Sequence, residues 1–460
     1  MKNQNKFNEL AEKPVGRLLA SYALPAIVAM TASSIYNIVD GIFIGQGVGE
    51  HAIMGLALTS PLMSLTAAFG AMVGVGAATL MSIRLGQKDY GTARKILGNV
   101  VLMNVAMGLL LGIILQVFLT PILTFFGASA DTLPYAHEFM TVILAGNVVT
   151  HLYFGLNAML RSTNRPKLAM YSTFGTVGIN LVLAPIFIFV FEWGISGAAW
   201  ATVVAQLCML IWQLRLFSNK ADFIHLERST LRPEPRIMRE SLLIGLPQFL
   251  VNACACLVAV VITRSMSTYG GDVAVGAFGI SNRLIMFIVF VVVGLNQGMQ
   301  PIAGYNYGAG HMDRLISVVK LTIFFATLIT TTGFAVGVFF PEPCVAVFAK
   351  DAPELIAEAA HGFSIAVLFF PFVGMQIVST AFFQSIGMAG KSIFLSLTRQ
   401  MLFLLPALVI LPHFFDRPTD GVWWSAPVSD AMASILSAVL LVQQFRKLRA
   451  KQLNVCEKSE

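Results

Sequence analysis

The sequence predicts an all-α polytopic membrane protein whose twelve transmembrane helices form two parallel six-helix repeats. Three observations carry this. Of 460 residues, 57% are hydrophobic and 12% are charged, about half the charged fraction of an ordinary soluble domain, so most of the chain cannot face water. Apolar segments long enough to cross roughly 30 Å of hydrocarbon as helices recur from end to end. Lys and Arg gather in every second connection between them.

The predicted spans are 16–44, 53–83, 96–124, 135–160, 168–191 and 195–217, then 241–268, 273–305, 316–346, 357–385, 393–414 and 423–445. They divide the chain into a lobe over 1–217, a polar connection over 218–240, a second lobe over 241–445 and a tail over 446–460. The opening, MKNQNKFNELAEKPVGR, is polar and has no small-residue cleavage site, so the first apolar segment is expected to stay as a helix. Lys2, Lys6, Lys13 and Arg17 precede it. The second connection holds Arg84, Lys88, Arg94 and Lys95, the fourth Arg161, Arg165 and Lys167, the sixth Arg228, Arg232, Arg236 and Arg239, and the tail Arg446, Lys447, Arg449 and Lys451. Only Arg264, Arg283, Lys350 and Arg417 fall on the other side or in its half of the membrane. Positive residues stay inside, which puts both termini in the cytoplasm. The net charge of +7 is then topology and lipid contact, with no nucleic-acid partner implied. Cys208, Cys254 and Cys256 lie within spans and form no CxxC pattern, so they read as packing.

The two halves echo each other in order. ASYALPAIVA answers SLLIGLPQFLV, with Pro25 opposite Pro247; the connections after the second and eighth spans align Gly86 with Gly308; NLVLAPIFIF answers LLPALVILP, with Pro185 opposite Pro406. Six crossings per half make the repeats parallel, an arrangement suited to alternating access. Pro25 and Pro185 interrupt the backbone hydrogen-bond ladder of their spans and are candidate hinges.

In the first span, SSIYNIVDGIFIG places Ser33, Tyr36, Asn37 and Asp40 at i, i+3, i+4 and i+7, one face of a helix. A carboxylate at the membrane centre costs about 2.5 to 3.5 kcal/mol even on the lenient insertion scale, so the stripe should face the bundle or a wet cavity. The alternative is that Asp40 and Gly41 end the helix near the outer interface and GIFIGQGVG forms the turn. Other spans place uncharged polar groups at comparable depth: Asn180, Thr202, His151, Asn157, Gln248, Asn252, Asn296, Gln297, Gln300 and Gln376. Of these, His151, Asn157, Gln248, Asn252, Gln297, Gln300 and Gln376 are candidates for lining a substrate cavity. Each can equally be interhelical glue worth about 1 kcal/mol, and His151 a hydrogen-bonded core histidine. Arg283, Arg399 and Asp430 are embedded charges expected to be paired or to reach an interface. The stretch SIGMAGKS ends like a phosphate-cradling loop but lacks the first glycine and the preceding strand, which argues against ATP binding.

Taken together, YNIVDGIFIGQGVG, NRPKLAM, NLVLAPIFIF and GLNQGMQPIAGYNYGAG with Arg314 after it resemble the multidrug and toxic compound extrusion (MATE) family. The likeness covers nearly the whole chain and is closest to a bacterial branch with a functional aspartate in the first helix. It implies a multi-pass transporter of the bacterial inner membrane, not an enzyme, that exports small amphipathic, often cationic compounds by ion-coupled antiport. It also implies an ion-coupling network at the positions matching Tyr36, Asn37, Asp40, Asn180 and Thr202. In one place the chain departs from the family: Ala184 stands where an aspartate usually precedes the proline corresponding to Pro185. Sodium gains from two carboxylates among its oxygen ligands, whereas a proton needs one titratable group, so H+ is expected ahead of Na+ as coupling ion. No cofactor or metal is expected, and the partners are substrates and membrane lipids around a monomer. The 35 Phe and 21 Met suit a promiscuous cavity, since Met repacks and aromatic faces attract cations. Two rivals remain: a lipid-linked sugar or lipid flippase on the same scaffold, which needs a basic cavity, and a polytopic membrane enzyme, which needs paired carboxylates or clustered histidines in its loops.

Overall fold

The computed structural model describes residues 10–220, 222–348 and 352–456, and every regular element among them is helical. Lys2, Lys6 and Lys350 lie outside the described residues, as do the side chains of Asn37 and Lys451.

Helix α1 (Val15–Gly47) contains Pro25 and runs straight through Gly41 and Gly45. Its end is set further on by Gly49, whose φ of 111° favours a residue without a Cβ. Asp40 therefore lies inside a helix and does not close one. After α2 (Glu50–Gly86), α3 (Tyr90–Val117) starts at Asp89, whose Oδ1 accepts from the Thr92 N–H at 3.1 Å. Such a cap is worth about 1 kcal/mol, and the hydrogen bonds from Thr92 hold the Asp89 carboxyl below its usual range. The predicted span 96–124 breaks at Phe118, and α4 (Leu119–Phe125) resumes beyond it. Helices α5 (Leu133–Ala145) and α6 (Asn147–Ser162) form one crossing bent by 56°. Helix α7 (Pro166–Pro185) gives way to a π-helical turn over Ile186–Val190, where the N–H missing from Pro185 lets the ladder slip. Helix α8 is Gly194–Phe217.

Helix α9 (Pro235–Gly308) holds 74 residues, about 110 Å at 1.5 Å per residue, far too long for one crossing. It breaks at Gly271, where φ is 63°. Next come α10 (Met312–Phe339), α11 (Pro341–Ala346) and the pair α12 (Pro353–Ala366) and α13 (Phe370–Ser385), bent by 58°. Predicted span 316–346 thus ends early, because Pro341 starts a new helix. Helix α14 (Ala389–Leu397) runs into a second π-helical turn, Thr398–Leu404, then α15 (Leu405–Ile410), a 3-10 turn and α16 (Pro418–Cys456). Nine helices among the described residues are long and apolar enough to cross a membrane. The two bent pairs and the break in α9 bring the crossings to the expected twelve.

The chain forms two compact units whose boundaries fall inside helices. One holds Val28–Phe249 with the described residues up to Glu12; the other holds Lys13–Ile27 and everything from Leu250 on. In the first unit, Leu62, Phe139, Met140, Leu144, Ile188 and Ala198 belong to one buried apolar cluster. Helices α2 and α6 approach closely at Gly74, where an added Cβ would stand 3.1 Å from the Gly155 Cα. The start of α9 seals against α2 the same way: a Cβ on Gly76 would collide with the Ser241 carbonyl, and one on Gly245 with the Met72 carbonyl. The polar connection before α9 is strapped to this unit. Arg94 donates to the Phe223 carbonyl at 3.0 Å, Asn99 accepts from the Glu234 N–H at 2.9 Å, and Arg165 pairs with Asp222 at 2.8 Å.

In the second unit, Ala359, Ala360, Leu408 and Trp423 are buried in one apolar cluster and Phe363, Val367, Phe370 and Val373 in another. The first part of α1 belongs here: Gly298 has no room for a Cβ beside Ala23, nor Gly294 beside Ile27, and Arg314 donates to the Lys13 carbonyl at 2.6 Å. Lys391 of the SIGMAGKS stretch donates to Gln444 at 2.6 Å, so that stretch is a turn between two helices.

Candidate functional site

The face read from the first span turns Tyr36 toward α8. From α1, Tyr36 reaches Thr202 of α8 at 3.2 Å, and Asn180 of α7 donates to the same Thr202 hydroxyl at 3.0 Å. Thr202 gives its own proton to the Ala198 carbonyl at 3.2 Å, so the Tyr36 hydroxyl is the donor in its contact and Thr202 is saturated with one bond given and two accepted. Asp40 stands one turn beyond Tyr36, and its Oδ1 is buried with no hydrogen-bond partner among the described residues. The Oδ1 of Asn180 is buried and unpartnered too. The first unit therefore brings together four of the five expected coupling residues; Asn37 lies on α1, with its side chain outside the described residues. Ser33, on the same face, bonds back to the Ala29 carbonyl at 3.0 Å and takes no part.

Ala184, where the resemblance led to the expectation of an acid, is 0% exposed and belongs to the apolar cluster with Ile188, Ala198 and Ala199. Pro185 ends α7, and the π-helical turn after it follows directly. Pro25 is buried inside α1 two residues before the boundary between the units, and Pro247 stands in the same relation to the boundary in α9.

The candidates for a substrate cavity divide between the units. His151 is fully buried; its Nε2 meets the Thr66 carbonyl at 3.0 Å, and Gly70 packs against its ring. Asn157 donates to the Ala169 carbonyl at 3.0 Å and accepts from Arg161 at 2.5 Å. Both bond to backbone carbonyls, while the Nδ1 of His151 is buried with no partner among the described residues. Gln248 is half-buried in the same unit. In the second unit Gln300 donates to Gln384 at 3.4 Å, Gln376 is buried with its Oε1 unpartnered, and Asn252 and Gln297 are half-buried.

Of the three embedded charges expected to be paired or to reach an interface, Arg399 and Asp430 pair with each other, and Arg283 is exposed. Arg399, in the second π-helical turn, donates through Nε to Asp430 Oδ1 of α16 at 2.8 Å, and Ser429 donates to the Arg399 carbonyl at 2.8 Å. The two π-helical turns were not visible in the sequence beyond the prolines beside them, and the pairing of residues 31 apart had no local signal.

The crossing helices bury several polar atoms that have no partner among the described residues. The MatE family model matches residues 25–186 and 247–409, and the chain belongs to this family of multidrug efflux transporters; it is a transporter, not an enzyme. It is 25% identical over 457 residues to the multidrug export protein MepA of Staphylococcus haemolyticus, covering 99% of this chain and 100% of the relative. With the MepA of Staphylococcus aureus strain MSSA476 it shares 26% over 435 residues, 95% of each chain. Among solved structures, the MATE multidrug transporter DinF-BH, captured in complex with a dye, is 34% identical, with a TM-score of 0.86 over 94% of this chain and 96% of that one. An outward-facing multidrug resistance MATE transporter superposes at 0.90 over 96% of this chain and 98% of that one, at 22% identity.

Proposed function

We infer that this protein exports small amphipathic, chiefly cationic drugs in exchange for protons, with Asp40 as the group that carries the proton. The observation that supports this most is the Asp40 carboxylate oxygen, buried with no hydrogen-bond partner among the described residues one turn from the Tyr36–Thr202–Asn180 network. Protonation turns this acceptor into a donor, in a neighbourhood whose other unsatisfied atom, Asn180 Oδ1, is an acceptor. Loading a proton removes the charge from a buried carboxyl that has no partner, and a buried polar atom left without one costs about 1 to 3 kcal/mol. Sodium is disfavoured as coupling ion by Ala184, which leaves apolar packing where a second carboxylate would stand.

Proton loading from outside changes the polar grip on the later part of α1, and the helix yields near Pro25, where the ladder already lacks a bond. Exchange of one proton for one monovalent cation moves no net charge, so the driving force is the pH difference, about 1.4 kcal/mol per unit. The basic connections argue for both termini in the cytoplasm, and the transporter works as a monomer in the inner membrane.

The test is dye efflux from proteoliposomes under an imposed pH gradient or an imposed sodium gradient, comparing the native chain with Asp40→Asn. Efflux by the native protein should follow the pH gradient and fall at least roughly tenfold in the variant, as expected when the only titratable group of a coupling step is removed. Efflux that follows sodium alone, or that survives in Asp40→Asn, would defeat the reading.

A further inference from the structure

We propose that the pocket where α4, α5 and α8 meet holds the headgroup of an aminophospholipid, with its ammonium on Glu138 and Trp200 and its acyl chains on the exposed apolar helix faces beyond. The site shares no residue with the Asp40 network and does not depend on the export mechanism argued above.

The pocket has a volume of about 650 Å3, within the range of small-molecule sites, and all of it belongs to the first unit. On α5, Pro134 and Glu138 stand one turn apart, as do His137 and Thr141, so one face of the helix start lines it. Thr120 of α4 and Trp200 of α8 complete the lining from either side of α5. Three helices agree on its depth. Thr120, Glu138 and Trp200 lie three to five residues inside the ends of the predicted spans 96–124, 135–160 and 195–217, and five or six inside the ends of the helices themselves. At 1.5 Å per residue both counts give about 5 to 9 Å. These spans exceed the 30 Å core, so their ends lie in a headgroup layer roughly 5 to 8 Å thick, and the pocket sits where headgroups meet hydrocarbon, the level at which Trp collects. It is the side opposite the basic connections: neither 118–138 nor 191–200 contains a Lys or Arg.

Glu138 is exposed, and no ion pair or hydrogen bond occupies its carboxylate among the described residues. Trp200 has no ring or hydrogen-bond partner among them either and is 42% exposed. A carboxylate beside an open indole is complementary to an organic ammonium, which donates charge-assisted hydrogen bonds to the one and meets the face of the other. A single indole is not the aromatic cage that suits a quaternary ammonium, so the primary ammonium, with three N–H donors, is favoured. The Thr141 hydroxyl accepts from Gln116 at 3.2 Å and gives its own proton to nothing among the described residues, and His137 carries an N–H in either tautomer; both can meet the phosphate. No described Lys or Arg lines the pocket, so an anionic headgroup would face Glu138 unopposed. Towards the membrane interior, Leu109, Ile113 and Val117 of α3 share one exposed face, and Leu207 and Ile211 continue the exposed face of Trp200 on α8. Helix α5 packs against both. These apolar stripes point to a lipid as the occupant, because a soluble ammonium compound would leave them uncovered.

The experiment is native mass spectrometry of the delipidated full chain, titrated in detergent with phosphatidylethanolamine, phosphatidylcholine and phosphatidylglycerol of identical acyl chains. The native protein should hold phosphatidylethanolamine most tightly and phosphatidylglycerol least. Glu138→Gln, which strands no partner, should weaken phosphatidylethanolamine about tenfold, the worth of a hydrogen bond to a charged group, and should not weaken phosphatidylglycerol. Trp200→Leu keeps apolar bulk without the ring quadrupole and should cost about threefold. Glu342→Gln, at an exposed acid of the second unit, should change nothing. Equal retention of the three lipids by the native chain, or a phosphatidylethanolamine affinity unmoved in Glu138→Gln, overturns the proposal. A rhodamine ester cation that displaces phosphatidylethanolamine from the native chain and loses affinity in Glu138→Gln assigns the pocket to exported cations and overturns it as well. Lipid retention is read without transport, so its failure is distinct from failure of the proton-coupled export proposed above.

Discussion

Asp40 and Asp430 are both carboxylates in membrane-crossing helices, one in each compact unit, and they are accommodated in opposite ways. Asp430 has an arginine at 2.8 Å and is structurally complete. Asp40 has a buried oxygen with no donor among the described residues, although a tyrosine, a threonine and an asparagine gather one turn away. Asp430 has a fixed counter-charge, and Asp40 has none among the described residues. In the function proposed above, the first is a holding acid and the second a carrying acid.

Breaking the holding pair should have the largest effect on stability. Asp430→Asn strands Arg399 and should cost about 2 to 3 kcal/mol, below the full penalty of an orphaned buried charge because the guanidinium is partly open. Thermal unfolding in detergent measures it, and adding Arg399→Gln should recover most of the loss. Restoring the family's acid, Ala184→Asp, puts a carboxylate into a fully packed apolar cluster and should destabilise by about 2 kcal/mol. A stable variant would mean that the cluster opens to water and that the distinction between the two acids is one of sequence only. Thr202→Val removes a hydroxyl that accepts two bonds and gives one, at about 1 to 1.5 kcal/mol, with a loss of coupling that efflux assays would read. The smallest stability change belongs to Asp40→Asn, within about 0.5 kcal/mol of the native chain, because no bond is lost. That variant should unfold at nearly the native temperature while failing to transport.

How much of this was legible in the sequence depends on the range of the signal. Tyr36 and Asp40 share a face by helical spacing alone, and the structure turns Tyr36 of that face toward α8. The twelve crossings follow from composition, although two are bent and one joint at Gly271 is a break that hydropathy smooths over. The glycines after Asp40 suggested a helix losing its hold, yet α1 continues to Gly47, since glycine weakens a helix by only about 1 kcal/mol and packing decides. His151 could be read as a relay or as packing, and a carbonyl 85 residues away holds its ring. No local pattern announces such a partner, nor that Arg399 would find Asp430.

The way the chain is divided matters beyond transport. Residues 13–27 of α1 complete the unit built from the second half, while the opening of α9 up to Phe249 completes the unit built from the first. Each half of the gene therefore encodes the keystone of the other's arch. A polypeptide cut within the polar connection should yield fragments that are useless when made singly and competent when made together, so neither half is self-sufficient.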